Sequence, residues 1–268
     1  MSTASRPRIG ILGAAGRMGR TLIEAVWANE ALMLAAAVES PLHPELGRDI
    51  AGWFGRDPTG IALAADWSPE AVDVLIDFTR PDATLATLEK ACRSGTAMVI
   101  GTTGFDADGR RSLEAASRRI ALCESGNFSL GVYLLQRLVR DAAATLGGDF
   151  DIEIVEAHHR HKVDAPSGTA LMLGRAAAVG AGVDFDASAV YAREGHTGPR
   201  ARGSLGFSTV RGGDVVGDHT VMFLGDGERI ELSHKASSRM NFARGAVRAA
   251  QRLAGRPAGR YSLDDVLC

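Results

Sequence analysis

The run at 8–39, RIGILGAAGRMGRTLIEAVWANEALMLAAAVE, decides the fold. It opens with a short apolar segment (8–14), continues through GAAGRMG (13–19) into a stretch with helical spacing (17–30), and closes on a second apolar run (32–39). Gly13 and Gly16 let the backbone turn tightly and approach a pyrophosphate, whose charge suits the N-terminus of the helix that follows. Gly19 lets that helix lie close to the strand. Three glycines alone read equally well as ordinary packing residues. The second strand shifts the balance, because it ends in Glu39, 20 residues after Gly19, where an acid in this topology meets the adenosine ribose hydroxyls.

Working outward, further apolar runs at 72–78, 97–102 and 120–125 alternate with helical stretches at 82–95 and 108–119. Buried strands alternating with helices predict a Rossmann-type, doubly wound parallel sheet, an α/β fold. The Gly- and Pro-rich segment 40–65 reads as a long connection. From 129 the texture changes: a helix at 131–147, an alternating strand at 149–159, a helix at 166–180, then extended runs at 203–211, 215–225 and 228–235. GGD and DG supply turns between those runs, which predicts an antiparallel meander within a second, α+β domain carrying a mixed or antiparallel sheet. The last helix, 237–255, is expected to return to the first domain. The expected boundaries are 1–128 plus 237–268 for dinucleotide binding, and 129–236 for substrate binding.

Lys and Arg number 30 against 32 Asp and Glu, so bulk charge gives no basis for nucleic-acid binding. The polar N-terminus does not resemble a signal peptide, and the longest apolar run, 31–38, is far too short to span a membrane. Cys92, Cys123 and Cys268 are too few and too scattered for a disulfide framework or a zinc site, and a cytoplasmic protein is expected.

Three strand ends, DFTRP (77–81), GTTGF (101–105) and SGNFS (125–129), fall on the edge where open parallel sheets bind ligands. Turn shaping is the commoner role of such residues. A second cluster is EAHHRHKVDAPSGTA (156–170), which crowds His158, His159, Arg160, His161 and Lys162 into one row. Metal binding is disfavoured, because no acid sits at a familiar ligand spacing and His158 and His159 point to opposite faces of a strand. Beside the row, Pro166, Ser167, Gly168 and Thr169 begin a helix whose first N–H groups suit an anion. Cations beside a helix N-terminus fit a carboxylate, with Lys162 offering a charge and a proton and a nearby histidine able to hold one near neutral pH.

Together with GAAGRMG, DFTRP, VIGTTGF, NFS, REGHTG (193–198) and HKASSRMNFARGA (234–246), the 156–170 motif resembles the dihydrodipicolinate reductase family, and the resemblance runs from about residue 8 to the C-terminus. It implies a nicotinamide-dependent reductase using NADH, NADPH or both. The implied reaction takes 4-hydroxy-tetrahydrodipicolinate, a cyclic dicarboxylate, to tetrahydrodipicolinate with loss of water, in the diaminopimelate route to lysine. It also implies a homotetramer built from the second sheet. By position Gly13, Ala14, Ala15, Gly16, Arg17 and Met18 match the pyrophosphate loop, Glu39 the ribose contact, and Gly101, Thr102, Thr103, Ser125, Gly126, Asn127 and Phe128 the nicotinamide side. His158 matches the proton donor/acceptor, Lys162 the proton donor, and His159, Gly168 and Thr169 the substrate-carboxylate contacts. One departure is Ser40, where the family can carry an arginine for a 2′-phosphate, so a lean toward NADH is expected unless Arg17 or Arg80 compensates. Two other readings remain: a different NAD(P)-dependent dehydrogenase of a small carboxylate, and a non-catalytic dinucleotide-binding protein.

Overall fold

The structure is a computed structural model that describes residues 6–267; the first five residues of the polar N-terminal segment, and Cys268, lie outside the described residues. The chain divides into two compact units, Leu130–Arg239 and the residues on either side of it.

The first unit is built on a seven-stranded sheet. Its elements are β1 (Arg8–Leu12), α1 (Arg17–Trp27), β2 (Met33–Val38), β3 (Leu63–Ala64), β4 (Val74–Asp77), α2 (Pro81–Ser94), β5 (Ala97–Ile100), α3 (Ala107–Ser117) and β6 (Ala121–Glu124). With β12 (Gly259–Tyr261) from the end of the chain, the strand order is β12-β6-β5-β4-β1-β2-β3, and every pairing is parallel. All four residues of both β4 and β5 are buried. That is the signature of strands covered on both faces, and each such aliphatic side chain contributes about 1.5–3 kcal/mol over an exposed one. Boundaries follow local chemistry. Pro81 opens α2, and Gly95 closes it in the left-handed conformation at φ 75°.

Two features of this unit were not foreseen. The expected connection 40–65 contains a short 3₁₀ helix, Ile50–Phe54, and contributes β3 to the sheet edge. Asp49 organises it, accepting from Ala51 N–H at 2.8 Å and Gly60 N–H at 2.7 Å. A two-residue strand leaves no periodicity to read. The other is the seventh strand, β12, which pairs with β6.

The second unit contains α4 (Leu130–Leu146), β7 (Asp151–His158), α5 (Gly168–Ala181), α6 (Phe185–Ser188), β8 (Ala189–Val190), β9 (Leu205–Arg211), β10 (Gly217–Gly225) and β11 (Glu228–Ala236). Its sheet order is β11-β10-β7-β9-β8. β10 runs antiparallel to β7 and β11, whereas β9 is parallel to β7 and β8. The sheet is therefore mixed and not an antiparallel meander. β9 and β10 are neighbours in sequence yet flank β7 on opposite sides, so the GGD turn does not close a hairpin. Alternation along β7 puts Ile152, Ile154, Glu156 and His158 in the buried layer, where the two aliphatics join a core with Val139, Leu173 and Phe223. Glu153 lies on the other face, clasped by Arg193 through two 2.9 Å bonds and by Arg200 at 3.0 Å.

The chain then returns to the first unit with α7 (Met240–Leu253), β12 (Gly259–Tyr261) and α8 (Leu263–Leu267). The buried face of α7 is mostly small, with Ala243, Gly245, Ala246, Ala249 and Ala250, which lets it approach α1 and β4–β6 closely. Among the described residues, no helix is long and apolar enough to cross a membrane.

Candidate active site

In the first unit, the loop between β1 and α1 is shaped by its glycines. Gly13 sits at φ 66°, a conformation that disfavours any other residue. A methyl group at Gly19 would come within 2.7 Å of the Ala14 Cα, which accounts for the close helix approach. Gly16 caps α1 in an extended conformation with no side-chain hydrogen bond, and its own missing Cβ would stand 3.2 Å from the Gly13 carbonyl. The first turn of α1 therefore follows a bare glycine backbone, the arrangement that suits a diphosphate. Ala14 is buried and its N–H bonds the Val38 carbonyl at 3.0 Å, whereas Arg17 is exposed and Met18 half-buried. Glu39 reaches back over the loop, accepting from Ala15 N–H at 3.2 Å and from Ser40 N–H at 2.9 Å. A carboxylate has about four lone-pair positions, so acceptor capacity remains for ribose hydroxyls. These residues fit a dinucleotide.

The carboxyl ends of β4, β5 and β6 carry the other three loops. Asp77, fully buried, accepts from Thr79 N–H (2.9 Å), Thr79 Oγ1 (2.6 Å) and Thr102 Oγ1 (3.3 Å), so one carboxylate joins the first loop to the second. Thr102 is buried in that linkage, whereas Thr103 is exposed. Gly101 has no space for a side chain, because the Phe78 ring occupies it. In the third loop Ser125 Oγ donates to the Asn127 carbonyl at 2.8 Å, and Asn127 Oδ1 accepts from Ser129 N–H at 2.8 Å. Phe128 is fully buried against Phe78, with ring centres 5.8 Å apart, so it can offer a ligand only its backbone. Gly126 lies beside Thr103, whose methyl group would be 3.5 Å from an added Cβ.

In the second unit the motif 156–170 condenses around Glu156, which is 1% exposed. Its Oε2 meets His158 Nδ1 at 2.6 Å and Arg211 Nη1 at 2.7 Å. Its Oε1 accepts from Arg211 Nη2 at 2.8 Å and from Ser167 N–H at 3.0 Å. Burial would raise the Glu156 pKa, but the Arg211 guanidinium, His158 and the Ser167 N–H together bring it down to about 2. Glu156 is thus a buried carboxylate at any physiological pH. Burial pushes His158 below the ordinary histidine range, with Lys162 and Arg211 adding to the effect and Glu156 opposing it. A neutral His158 whose Nδ1–H faces a carboxylate keeps its lone pair on Nε2. Gly217 makes space for that atom: an added Cβ would stand 3.0 Å from Nε2.

Ser167 caps α5, its Oγ accepting from Ala170 N–H at 3.1 Å while also bonding His219 Nε2 at 3.0 Å. Gly168 and Thr169 form the first turn of α5, the end of a helix that suits an anion. His219 packs edge-on to His158 with ring centres 5.0 Å apart, and burial drives its pKa down to about 4. Lys162 Nζ is held by both oxygens of Asp164, at 2.8 and 2.9 Å. His159, just past the end of β7, is fixed through its N–H to the Val215 carbonyl at 2.7 Å.

Two members of the crowded row therefore have resident acids. The reading that the row waits for an external carboxylate is incomplete, because Glu156 and Asp164 already face His158 and Lys162. Within this unit His158, Lys162 and the start of α5 do come together, through Glu156, Ser167 and Arg211. Sequence reasoning missed Glu156, Ser167, His219, Asp164 and Asp77 as parts of the site. The i, i+2 spacing of Glu156 and His158 on a strand was a usable signal, since it puts both on one face. Arg211, 55 positions from Glu156, gave none. Among the described residues, no group of three or more His, Cys, Asp or Glu side chains is placed to hold a metal ion.

Comparison with known proteins bears on the same two units. The family model for the N-terminal part of dihydrodipicolinate reductase matches residues 7–128, and that for its C-terminal part matches 131–267. A protein of Cupriavidus metallidurans named 4-hydroxy-tetrahydrodipicolinate reductase is 55% identical over 97% of this chain and 98% of its own length. One of the same name from Cupriavidus pinatubonensis is 54% identical with the same coverage. A solved dipicolinate-bound dihydrodipicolinate reductase from Paenisporosarcina sp. TG-14 shares the fold, with a TM-score of 0.72 at 24% identity over 96% of this chain and 98% of that one. With both family models matched end to end and more than half the residues shared with full-length relatives, the chain belongs to the dihydrodipicolinate reductase family.

Proposed function

We propose that this chain is the enzyme that reduces 4-hydroxy-tetrahydrodipicolinate to tetrahydrodipicolinate with NADH or NADPH, in the diaminopimelate route to lysine. Family membership over nearly the full length supports the reaction. The observation that carries the site assignment is the His158 imidazole, held by Glu156 at 2.6 Å in the same cluster as the Ser167 cap of α5. Per turnover the ring loses its hydroxyl as water and gains one hydride and one proton. The dinucleotide, when bound, supplies the hydride.

The chain's own residues do the rest. The loop 13–18 and Glu39 hold the coenzyme's diphosphate and ribose, and the loops at 101–103 and 125–128 flank its nicotinamide end. In the second unit, first-turn N–H groups at Gly168 and Thr169, with His159, fix a carboxylate of the ring. His158 exchanges a proton at Nε2, while Lys162 supplies a positive charge and a transferable proton once the substrate competes with Asp164 for its ammonium. The Paenisporosarcina relative holds dipicolinate, a cyclic dicarboxylate, which is the ligand class assigned here to the second unit.

The test is a coupled assay with freshly formed product of the aldehyde–pyruvate condensation that precedes this step. Coenzyme oxidation is followed for the parent chain and for Lys162→Ala and His158→Ala. Each variant is expected to lose about 10²–10⁴ in kcat while binding NADH normally. Wild-type turnover in both, with folding intact, removes the assignment.

We also assign a homotetramer formed through the open face of the second sheet. Alternation puts Val155, Ala157, Thr220 and Met222 on the face opposite Ile154 and Phe223, with Val210 exposed beside them, a surface suited to another copy of itself. A monomeric mass by light scattering at micromolar concentration would exclude it. A cytoplasmic location goes with the use of the nicotinamide pool, and cell fractionation checks it.

A further inference from the structure

We propose that Glu156 and Arg211 are positioning residues that hold His158 as its Nδ1–H tautomer and lock it to the carboxylate-binding start of α5. The proposal rests on the reading of His158 as the proton-exchanging group. It follows from what each atom can donate. An ionised carboxylate only accepts, so the 2.6 Å contact between Glu156 Oε2 and His158 Nδ1 requires the hydrogen on Nδ1. Nε2 is then the one ring nitrogen left to take up a proton.

Glu156 is kept ionised by a forked pair with Arg211, Nη1 to Oε2 at 2.7 Å and Nη2 to Oε1 at 2.8 Å. Thr209 Oγ1, from the same strand, adds a longer contact at 3.4 Å. Arg211 reaches further. Its Nη2 also donates to the Asp164 carbonyl at 2.7 Å, and Asp164 is the residue whose carboxylate grips Lys162. Glu156 Oε1 meanwhile accepts from the Ser167 N–H at 3.0 Å, one residue before α5 begins. One ion pair, with its carboxylate buried, thus fixes the tautomer of His158, the loop carrying Lys162, and the residue that caps the anion-binding helix. Neither of its members needs to touch the substrate.

The test uses the full-length enzyme. Magic-angle-spinning ¹⁵N NMR of histidine-labelled protein, with His158 assigned by difference from His158→Gln, reads the tautomer without substrate or coenzyme. The parent chain is expected to show a protonated Nδ1 and an unprotonated Nε2. In Glu156→Gln an amide N–H₂ can face Nδ1, which favours the opposite tautomer. Its kcat is expected to fall about 10²–10⁴-fold, with the Kd for NADH within threefold of the parent. His158 is faced by Glu156, Arg211, Lys162 and His219, and of these only Glu156 favours its protonated form. The acid limb of the kcat–pH profile should therefore move to lower pH in Glu156→Gln. Arg211→Lys, which keeps the charge but loses the fork, should retain the tautomer and lose less activity.

An Nε2–H tautomer in the parent chain overturns the proposal whatever the variants do. So does a Glu156→Gln enzyme with the parent tautomer, or with kcat within threefold of the parent. If His158→Gln is inactive while Glu156→Gln is fully active, the positioning role falls and the proton-exchange reading stands. If His158→Gln is itself active, that reading falls first.

Discussion

Glu39 follows β2 with one oxygen on the Ala15 N–H at 3.2 Å and the other on the Ser40 N–H at 2.9 Å, so in the function proposed above its carboxylate stands beside the coenzyme's ribose. NADPH differs from NADH by a phosphate on that ribose. Two negative charges about 5 Å from a fixed carboxylate are repelled by about 1.7 kcal/mol in water and about 7 kcal/mol at an effective dielectric of ~20. Glu39 is half-buried and Ser40 stands at its edge, so the lower part of that range applies. Ser40→Arg adds a cation at this edge, where a charge-assisted contact to an accessible phosphate is worth about 1–2 kcal/mol. The expected result is a rise of about 5–30-fold in kcat/KM for NADPH, given that 1.4 kcal/mol is tenfold. NADH should stay within threefold, and the NADPH gain should shrink in high salt. Initial rates with each coenzyme across a salt series measure this. If the parent chain already prefers NADPH by an order of magnitude, or if the variant gains equally with both coenzymes, then Glu39 and Ser40 do not set the preference.

Gly245→Ala tests whether α7 holds the third cofactor loop in place. A methyl group there would overlap the Phe128 carbonyl, so the gain in helix propensity of about 1 kcal/mol is outweighed by overpacking of about 1–3 kcal/mol or more. A lower melting temperature together with weaker NADH binding by calorimetry is expected, and a variant as stable as the parent contradicts the packing. A second expectation concerns acid. His219 has a folded pKa of about 4 against an ordinary 6.5, so the unfolded chain takes up the proton first and stability falls as pH drops from 6.5 toward 4. Between pH 7 and pH 5 that one group removes about 2 kcal/mol. In His219→Asn the urea-unfolding free energy should lose about that much less over the same interval, and an unchanged pH slope rules His219 out as the cause. Glu156 acts lower, its contribution present above about 4.5 and lost as pH falls through about 2.

What the sequence reveals, and what it conceals, follows from the range of the interactions. The 8–39 run is legible because loop, helix and acid are local: Gly16 and Gly19 are required by neighbours within a few residues, as Gly19 is by Ala14, although Gly10 and Gly13 also meet Val72, Leu75 and Thr79 from farther along the chain. The strands of the first sheet are legible because burial on both faces makes them continuous apolar runs. Strand β3 and the placement of β9 across β7 from β10 are not, since a two-residue strand has no period and pairing partners are chosen by the tertiary structure. The candidate site divides the same way. His158, Lys162, Gly168 and Thr169 stand in one motif, but the functional state of His158 is set by Arg211 on another strand and by His219 on a third.

That division bears on why so many cations are packed between 158 and 162. Five adjacent groups able to carry one sign are destabilising if each must be neutralised by a ligand that comes and goes. The structure avoids this by giving the two proton-handling groups different resident acids. His158 faces Glu156, which is 1% exposed and already bound by Arg211, so a small molecule has no route to displace it. Lys162 faces Asp164, whose side chain is 56% exposed and which makes a simple two-oxygen contact with the ammonium. Exposed pairs of that kind are worth only about 0–1 kcal/mol, so an incoming carboxylate can take the ammonium at little cost. The imidazole is thereby kept in one fixed state before substrate arrives, while the ammonium remains exchangeable. The difference between one buried acid and one exposed acid, eight residues apart, is what lets a single short loop both hold a proton acceptor ready and release a cation to the ligand.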